Sequence, residues 1–315
     1  MRRGRRPTLV SLKKGSTRAC TLLARPGGAP VPSCISVSPP EPPPVRLKIV
    51  SAGLTDVGKK RDHNEDSFLI DEDLKLFVVA DGMGGHAGGG TASRIAVETI
   101  DRELRQARTT QGSALDARTA LQDSPVPEAI RAAVERACIA IYSKAQEDPR
   151  LAGMGTTVIS LLLKEDQAFF AHVGDSRAYL VRGDLIQQIS EDHSLVNEQI
   201  KAGMITPEEA KHSRYKNIIT RSVGFEEEVQ VDVMGLLSEA GDVFILCSDG
   251  MANMVEDPEI LQVVRHFPLA EVPQKLVDLA NERGGDDNIT VIAVQVQAES
   301  TAAARPAETG EHASV

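Results

Sequence analysis

Lys75-Leu-Phe-Val-Val-Ala-Asp-Gly-Met-Gly-Gly-His86 is the stretch on which the reading of the chain turns. Lys75 to Ala80 has the length and composition of a β-strand, and the apolar run stops at an aspartate followed by glycine. A strand that ends this way points a carboxylate, Asp81, out of one sheet edge. Four other places repeat the design: Asp66 in Asn64-Glu65-Asp66-Ser67, Asp175 in Val173-Gly-Asp-Ser-Arg-Ala178, Asp249 in Leu246-Cys-Ser-Asp-Gly250 and Asp287 in Gly285-Asp-Asp-Asn288. Five such ends are able to meet in one cleft.

Carboxylates gathered in a cleft repel one another, and burying them unpaired costs several kcal/mol per ion, so the cluster calls for a compensating cation. All the candidate donors are oxygens. With no Cys pair and no His-x-x-x-His, hard Mg²⁺ or Mn²⁺ fits better than zinc. Taken singly, each piece has a plainer explanation. One Asp-Gly at a strand end is usually a turn, Arg61 reads equally as a solvated surface charge, and His86 as a turn filler. The glycines between 81 and 90 suggest a nucleotide cradle too, but they lack the Gly-Lys-Ser/Thr of a phosphate-binding loop and the spacing of a dinucleotide fingerprint.

Further strands are expected at Lys48 to Ala52, Ser67 to Ile70, Thr156 to Leu163, Gln167 to Val173, Arg177 to Val181, Leu185 to Ile189, Val243 to Cys247 and Ile289 to Val296, with Arg182-Gly183-Asp184 as a hairpin turn. Ala92, Ala96, Ile100 and Leu104 share one helical face, as do Ile130, Val134, Ala137 and Ile141; two more helices are expected at Pro258 to His266, capped at Asp257-Pro258, and at Glu271 to Arg283. Strands in runs, separated by helix pairs, give an α+β class with antiparallel sheets flanked by helices. Residues 108 to 126 read as a surface loop. Residues 190 to 235 read as a long irregular excursion in which Thr206-Pro-Glu-Glu209 is a capping box.

The chain has 315 residues, 41% hydrophobic and 25% charged, with a net charge of -10. One domain over 47–297 accounts for the pattern. Residues 1–46 carry nine Lys/Arg against Glu41 and end in a Pro-rich run, so they are expected to be disordered, as is the tail over 298–315. A start codon assigned too far upstream would account equally well for the leader, the true start then lying near Val45 or Leu47. The acidic body argues against nucleic acid as the main partner, no apolar stretch approaches the length of a membrane span, and four scattered cysteines read as reduced thiols, which points to the cytoplasm.

Nine motifs in order, among them Thr55-Asp-Val-Gly58, Arg61 to Ser67, Val79 to Ser93, Gly153 to Thr157, His172 to Tyr179, Asp192-His-Ser194, Ile219 to Gly224, Leu246 to Met251 and Asp286 to Val291, make the chain resemble the bacterial metal-dependent protein phosphatases, also called type 2C Ser/Thr phosphatases. The resemblance covers roughly Leu47 to Val296. It implies a four-layer α/β/β/α sandwich with a binuclear Mn²⁺ or Mg²⁺ centre at one end, and direct attack of a metal-held hydroxide on phosphoserine or phosphothreonine. It further implies that Asp81 bridges both ions while the Gly82 carbonyl completes one site, that Asp249 and Asp287 bind the second ion, and that Asp66, with Glu65 beside it, holds metal-bound water. Arg61 corresponds to the phosphate anchor, His86 to the general acid, and Asn288 to a supporting residue. Asp175 and Asp249 are the implied ligands of a third, weaker ion, although Asn253 stands where many relatives have aspartate. The 190–235 stretch corresponds to a mobile flap. Phosphoproteins, Ser/Thr kinases among them, are the implied partners of a monomeric enzyme; the rival reading is a catalytically silent phosphoprotein-binding scaffold of the same fold, whose mark would be a lost ligand.

Overall fold

The computed structural model describes residues 10–11, 47–84, 88–112 and 119–298. In chain order the elements are β1 (Val10–Ser11), β2 (Leu47–Asp56), β3 (Asp66–Asp71), β4 (Leu76–Met83), α1 (Gly88–Gln111), α2 (Val126–Glu147), β5 (Gly155–Thr156), β6 (Val158–Lys164), β7 (Gln167–Val173), β8 (Arg177–Arg182) and β9 (Leu185–Gln188). They continue with α3 (Leu195–Lys201), α4 (Pro207–Lys211), β10 (Asp232–Leu237), β11 (Val243–Cys247), α5 (Asp249–Ala252), α6 (Asp257–His266), α7 (Val272–Glu282) and β12 (Ile289–Ala298).

The strands form two antiparallel sheets. The first runs β1-β10-β7-β6-β4-β3, with β5 added at the end of β4, and the second runs β2-β12-β11-β8-β9. Side chains alternate across each sheet as the two-residue period requires. Leu76, Val78 and Ala80 of β4 pack against α1 and α2, where Ala92, Ala96, Ile100, Ile130, Val134, Ala137 and Ile141 face them. Phe77 and Val79 point the other way, into a core shared with Phe170, Leu180, Phe244, Leu246, Ile292 and Val294. The opposite face of the second sheet, through Ile245, Cys247, Val291 and Ala293, is covered by Ile260 and Val263 of α6 and by Leu276, Val277 and Ala280 of α7. The result is helices, sheet, sheet, helices: the α+β sandwich that the motifs implied.

Phe170 and Phe244 meet edge to face across the two sheets, with ring centroids 5.7 Å apart. Each fully buried phenylalanine contributes about 1.5–3 kcal/mol of transfer free energy, so this pair does much to fix how one sheet sits on the other.

Several elements differ from the sequence-based expectations. β4 does not stop at Ala80 but runs through Asp81 and Gly82 to Met83, because β5 supplies a new partner strand there, pairing Thr156 with Gly82 and Gly155 with Met83. α1 continues into the stretch read as a loop from residue 108, ending at Gln111. The N-cap of α6 is Glu256 rather than Asp257, in a reciprocal capping box with Glu259 that places Pro258 second in the helix. The expected capping box at Thr206 is present in full, and the Gly183-Asp184 hairpin is formed, with Arg182 paired to Leu185. Two residues of the leader read as disordered, Val10 and Ser11, pair with Gly235 and Met234 at the edge of the first sheet. Cys138 and Cys247 are buried free thiols; Cys20 and Cys34 lie outside the described residues. Among the described residues no helix is long and apolar enough to cross a membrane.

Candidate active site

Residues of the sandwich interior become polar at one end, and there the carboxylates gather. On β4 the parity that sends Phe77 and Val79 between the sheets sends Asp81 there too, and antiparallel register sets Asp66 of β3 directly opposite it. From the second sheet come Asp249, just past β11 on the first turn of α5, and Asp287, just before β12; Asp175 lies in the turn joining β7 to β8. Asp81 feels the negative charge of all four others. The five aspartates singled out from sequence are therefore brought together, and His86 lies outside the described residues.

Two glycines let the chain close this tightly. A Cβ on Gly82 would lie 2.1 Å from the carbonyl oxygen of Gly89 and 2.5 Å from that of Glu65, and one on Gly250 would lie 2.1 Å from the Asn288 oxygen. Asp-Gly is required at both places because backbone packs on backbone beside the carboxylate.

A layer of hydroxyl groups, missed in the sequence reading, holds the aspartates. Thr290 Oγ1 donates to Asp66 Oδ2 at 2.6 Å, and Ser248 Oγ accepts from Thr290 N at 2.9 Å. Asp81 N donates to Thr157 Oγ1 at 3.0 Å, Thr157 N donates back to Asp81 O at 2.9 Å, and Thr157 also pairs with Ser176 Oγ at 2.7 Å. The sequence carries a signal for them: Thr157, Ser248 and Thr290 stand at positions where the alternation of Ile159 and Leu161, Phe244 and Leu246, or Ile292 and Val294 calls for an apolar residue.

Asn288 staples the loop that carries Arg61. Its Nδ2 donates to Val57 O at 2.9 Å and His63 O at 3.0 Å, while its Oδ1 accepts from Glu65 N at 2.8 Å. Arg61 itself leaves half its side chain in solvent and donates from Nη2 to Asp287 Oδ2 at 2.6 Å. Glu65 is fixed through its backbone, its carbonyl accepting from Ser93 Oγ at 2.6 Å. Asn253 turns its Nδ2 toward the cluster and donates to Asp249 Oδ2 at 3.1 Å.

The electrostatics are those of an acid cluster short of positive charge. Burial pushes Asp66 up to about 7 against the hydrogen bonds of Thr290 and Ser248, and the charges of Asp249 and Asp287 add to the rise. Burial likewise raises Asp175 to about 7, helped by Asp249 and Asp192. Asp81 is driven well above the usual carboxylate range by burial and then by Asp66, and Asp249 is raised by burial and then by Asp287. Asp66 Oδ1, Asp175 Oδ1 and Asp249 Oδ1 are buried without a hydrogen-bond partner. Buried carboxylate oxygens left without a donor are costly, and this all-oxygen set fits hard divalent cations. The side chains do not form a closed coordinating group among the described residues, where Asp287 is engaged by Arg61.

Comparison with known proteins agrees with this geometry. Residues 58–289 match the family model for protein phosphatase 2C. Protein phosphatase PhpP of Streptococcus pneumoniae is 40% identical over 255 residues, 78% of this chain and 97% of its own length. The serine/threonine phosphatase stp of Listeria innocua is 37% identical over 245 residues, 76% of this chain and 93% of its own. Among solved structures, the serine/threonine phosphatase PstP/Ppp of Mycobacterium tuberculosis superposes with a TM-score of 0.70 at 32% identity, covering 79% of this chain and 99% of that one. The catalytic domain of PstP in complex with two manganese ions gives a TM-score of 0.67 at 34% identity over 80% and 99%. A matched family model spanning the cleft from Gly58 to Ile289, on a sandwich of the same architecture, places the chain in the protein phosphatase 2C family, as a metal-dependent serine/threonine phosphatase.

Proposed function

We propose that the cleft hydrolyses phosphoserine and phosphothreonine on proteins with two divalent cations, Mn²⁺ or Mg²⁺, held by Asp66, Asp81, the Gly82 carbonyl, Asp249 and Asp287. The observation that carries this reading is the convergence of five aspartates from both sheets with three buried oxygens lacking any donor. Bound there, such cations polarise phosphoryl oxygens and make water nucleophilic at neutral pH. Asp66 is kept oriented by Thr290, and Asp81 by the Thr157–Ser176 pair.

Arg61 is the phosphate anchor on this reading. Its guanidinium is half exposed at the mouth, its loop is fixed by Asn288, and a planar fork donates two hydrogen bonds to a phosphate at once. His86 supplies the proton to the leaving serine or threonine oxygen. Phosphorylated Ser/Thr kinases are among the expected substrates, and the cytoplasm, where thiols such as Cys138 and Cys247 stay reduced, is the expected compartment.

Release of phosphate from a phosphothreonine peptide, with and without Mn²⁺ and beside Asp249→Asn, tests the proposal. Metal-dependent turnover that the variant abolishes is the expected result. Metal and phosphopeptide binding without turnover would replace it with the scaffold reading.

A further inference from the structure

His193 lies at the start of the flap and is almost fully buried. Its backbone and side chain grip the residue before Asp175 from both directions: His193 N donates to Gly174 O at 2.8 Å, and Gly174 N donates to His193 Nδ1 at 3.1 Å. Because Gly174 N–H must be the donor, Nδ1 is the acceptor and the ring proton of the neutral imidazole sits on Nε2. Nε2 lies 3.2 Å from Asp232 Oδ2, which receives that proton, and 3.1 Å from Arg221 Nη1, which itself donates to Asp232 Oδ1 at 3.1 Å.

Both arms of the flap meet at this point. Thr220 N donates to His193 O at 2.8 Å, Leu195 N donates to Ile218 O at 2.9 Å, and Ser194 bridges Ile219, so residues 195–218 form an excursion whose ends are tied together. Arg221, directly after it, reaches back to Asp232 at the start of β10. His172, opposite Asp232 in the sheet, stacks on His193 with ring centroids 4.7 Å apart; it is fully buried, neither ring nitrogen has a partner, and burial holds it neutral by lowering it to about 3. On the other side, Asp175 lines a cavity of about 940 Å³ together with Asp249, Asn253 and the flap residues Val196, Ala210 and Lys216.

We infer that His193 is a positioning residue with two separable halves: Nδ1 sets the Gly174 turn and so the aim of the Asp175 carboxylate into this cavity, while Nε2, through Asp232 and Arg221, fastens the flap to the sheet. The first half rests on reading Asp175 as a residue that faces a weakly bound cation. The second rests on the flap geometry alone.

Two variants divide the halves. His193→Asn keeps an oxygen near the position of Nδ1 for Gly174 but is too short for Asp232, whereas His193→Gln carries an N–H toward Asp232 and leaves Gly174 without its acceptor. Loss of one hydrogen bond worth about 1 kcal/mol corresponds to about a fivefold change. With the full chain, calorimetric titration with Mn²⁺ reads the weakest site, and tryptic cleavage at the exposed flap residues Lys211, Arg214 and Lys216 reads the flap. His193→Asn is expected to be cleaved about fivefold faster while its weakest Mn²⁺ site shifts less than about twofold; His193→Gln is expected to show the converse. Identical behaviour of the two variants, or a lowered melting temperature with neither readout changed, overturns the inference. Wild type that takes up no Mn²⁺ at all sinks the proposed two-metal function, and wild type that takes up only two ions overturns the Asp175 half; in both cases the tryptic comparison still decides the flap half.

Discussion

Thr290 on the second sheet donates its hydroxyl proton to Asp66 on the first, at 2.6 Å across the gap between them. That bond marks where the apolar interior gives way to the acid cluster, and it is made between two strands that are not neighbours in either sheet.

Thr290→Val keeps the shape and removes the donor. A buried carboxylate that loses a hydrogen bond costs about 1–3 kcal/mol. The metal-free variant is expected to unfold at correspondingly lower urea concentration, checked by equilibrium denaturation with a chelator present; an unchanged midpoint would show that Asp66 draws its support from Ser248 instead.

Asp66 and Asp175 give the metal-free protein a pH dependence of unusual sign. Both are raised to about 7 in the folded state from an ordinary value near 3.8. Between those limits the folded chain holds more protons than the unfolded one, so their contribution to stability falls as pH climbs from about 4 to about 7 and then levels off. Melting temperature measured in chelator should fall from pH 5 to pH 8, and Mn²⁺ should reverse the fall. Cation binding at pH 6.5 should release protons, seen by calorimetry in buffers of different ionisation enthalpy.

Asp249→Asn should part activity from stability. The substitution removes one negative charge from a cluster that raises its own pKa values, and the metal-free protein should melt at a higher temperature than wild type. Turnover of a phosphopeptide should drop at least about 100-fold, since a cation's contribution of several kcal/mol converts at 1.36 kcal/mol per decade. A variant both less stable and inactive would mean that Asp249 serves the fold.

Asn288→Ala frees the loop from Val57 to Glu65 by deleting three hydrogen bonds. With Arg61 no longer pre-placed, KM for a phosphopeptide should rise about tenfold with a smaller change in kcat, the signature of lost binding common to ground and transition states. Steady-state kinetics at saturating Mn²⁺ measure the split.

Most of the architecture was legible because β4, β7 and β11 are apolar runs of strand length that break at or near Asp or Gly, and β12 is one that follows Asp287-Asn288; Gln167–Val173 and Val243–Cys247 have the bounds that these runs predict. β10 was hidden inside the irregular stretch and beyond it, since Asp232-Val-Met-Gly-Leu-Leu237 carries a glycine in its middle and owes its extension to β7 alongside it. α3 was missed for a similar reason: seven residues are too few for periodicity, and the cue was Ser194, whose side chain caps it. The aspartates were visible by residue type at strand ends. The hydroxyls of Thr157, Ser248 and Thr290 show in the sequence only as polar breaks in an inward apolar alternation, and register is needed to tell which carboxylate each supports.

β2 and β12 run antiparallel over their whole length, from Asp56 opposite Ile289 at the cleft to Leu47 opposite Ala298 at the far end. Ten residues at about 3.3 Å each put some 30 Å between the mouth of the enzyme and the points where the two peptide tails join it. β2 thus begins and β12 ends side by side at the handle of the tool, opposite its working edge. Joining Leu47 to Ala298 by a short turn and opening the chain elsewhere should yield a circular permutant with an untouched cleft.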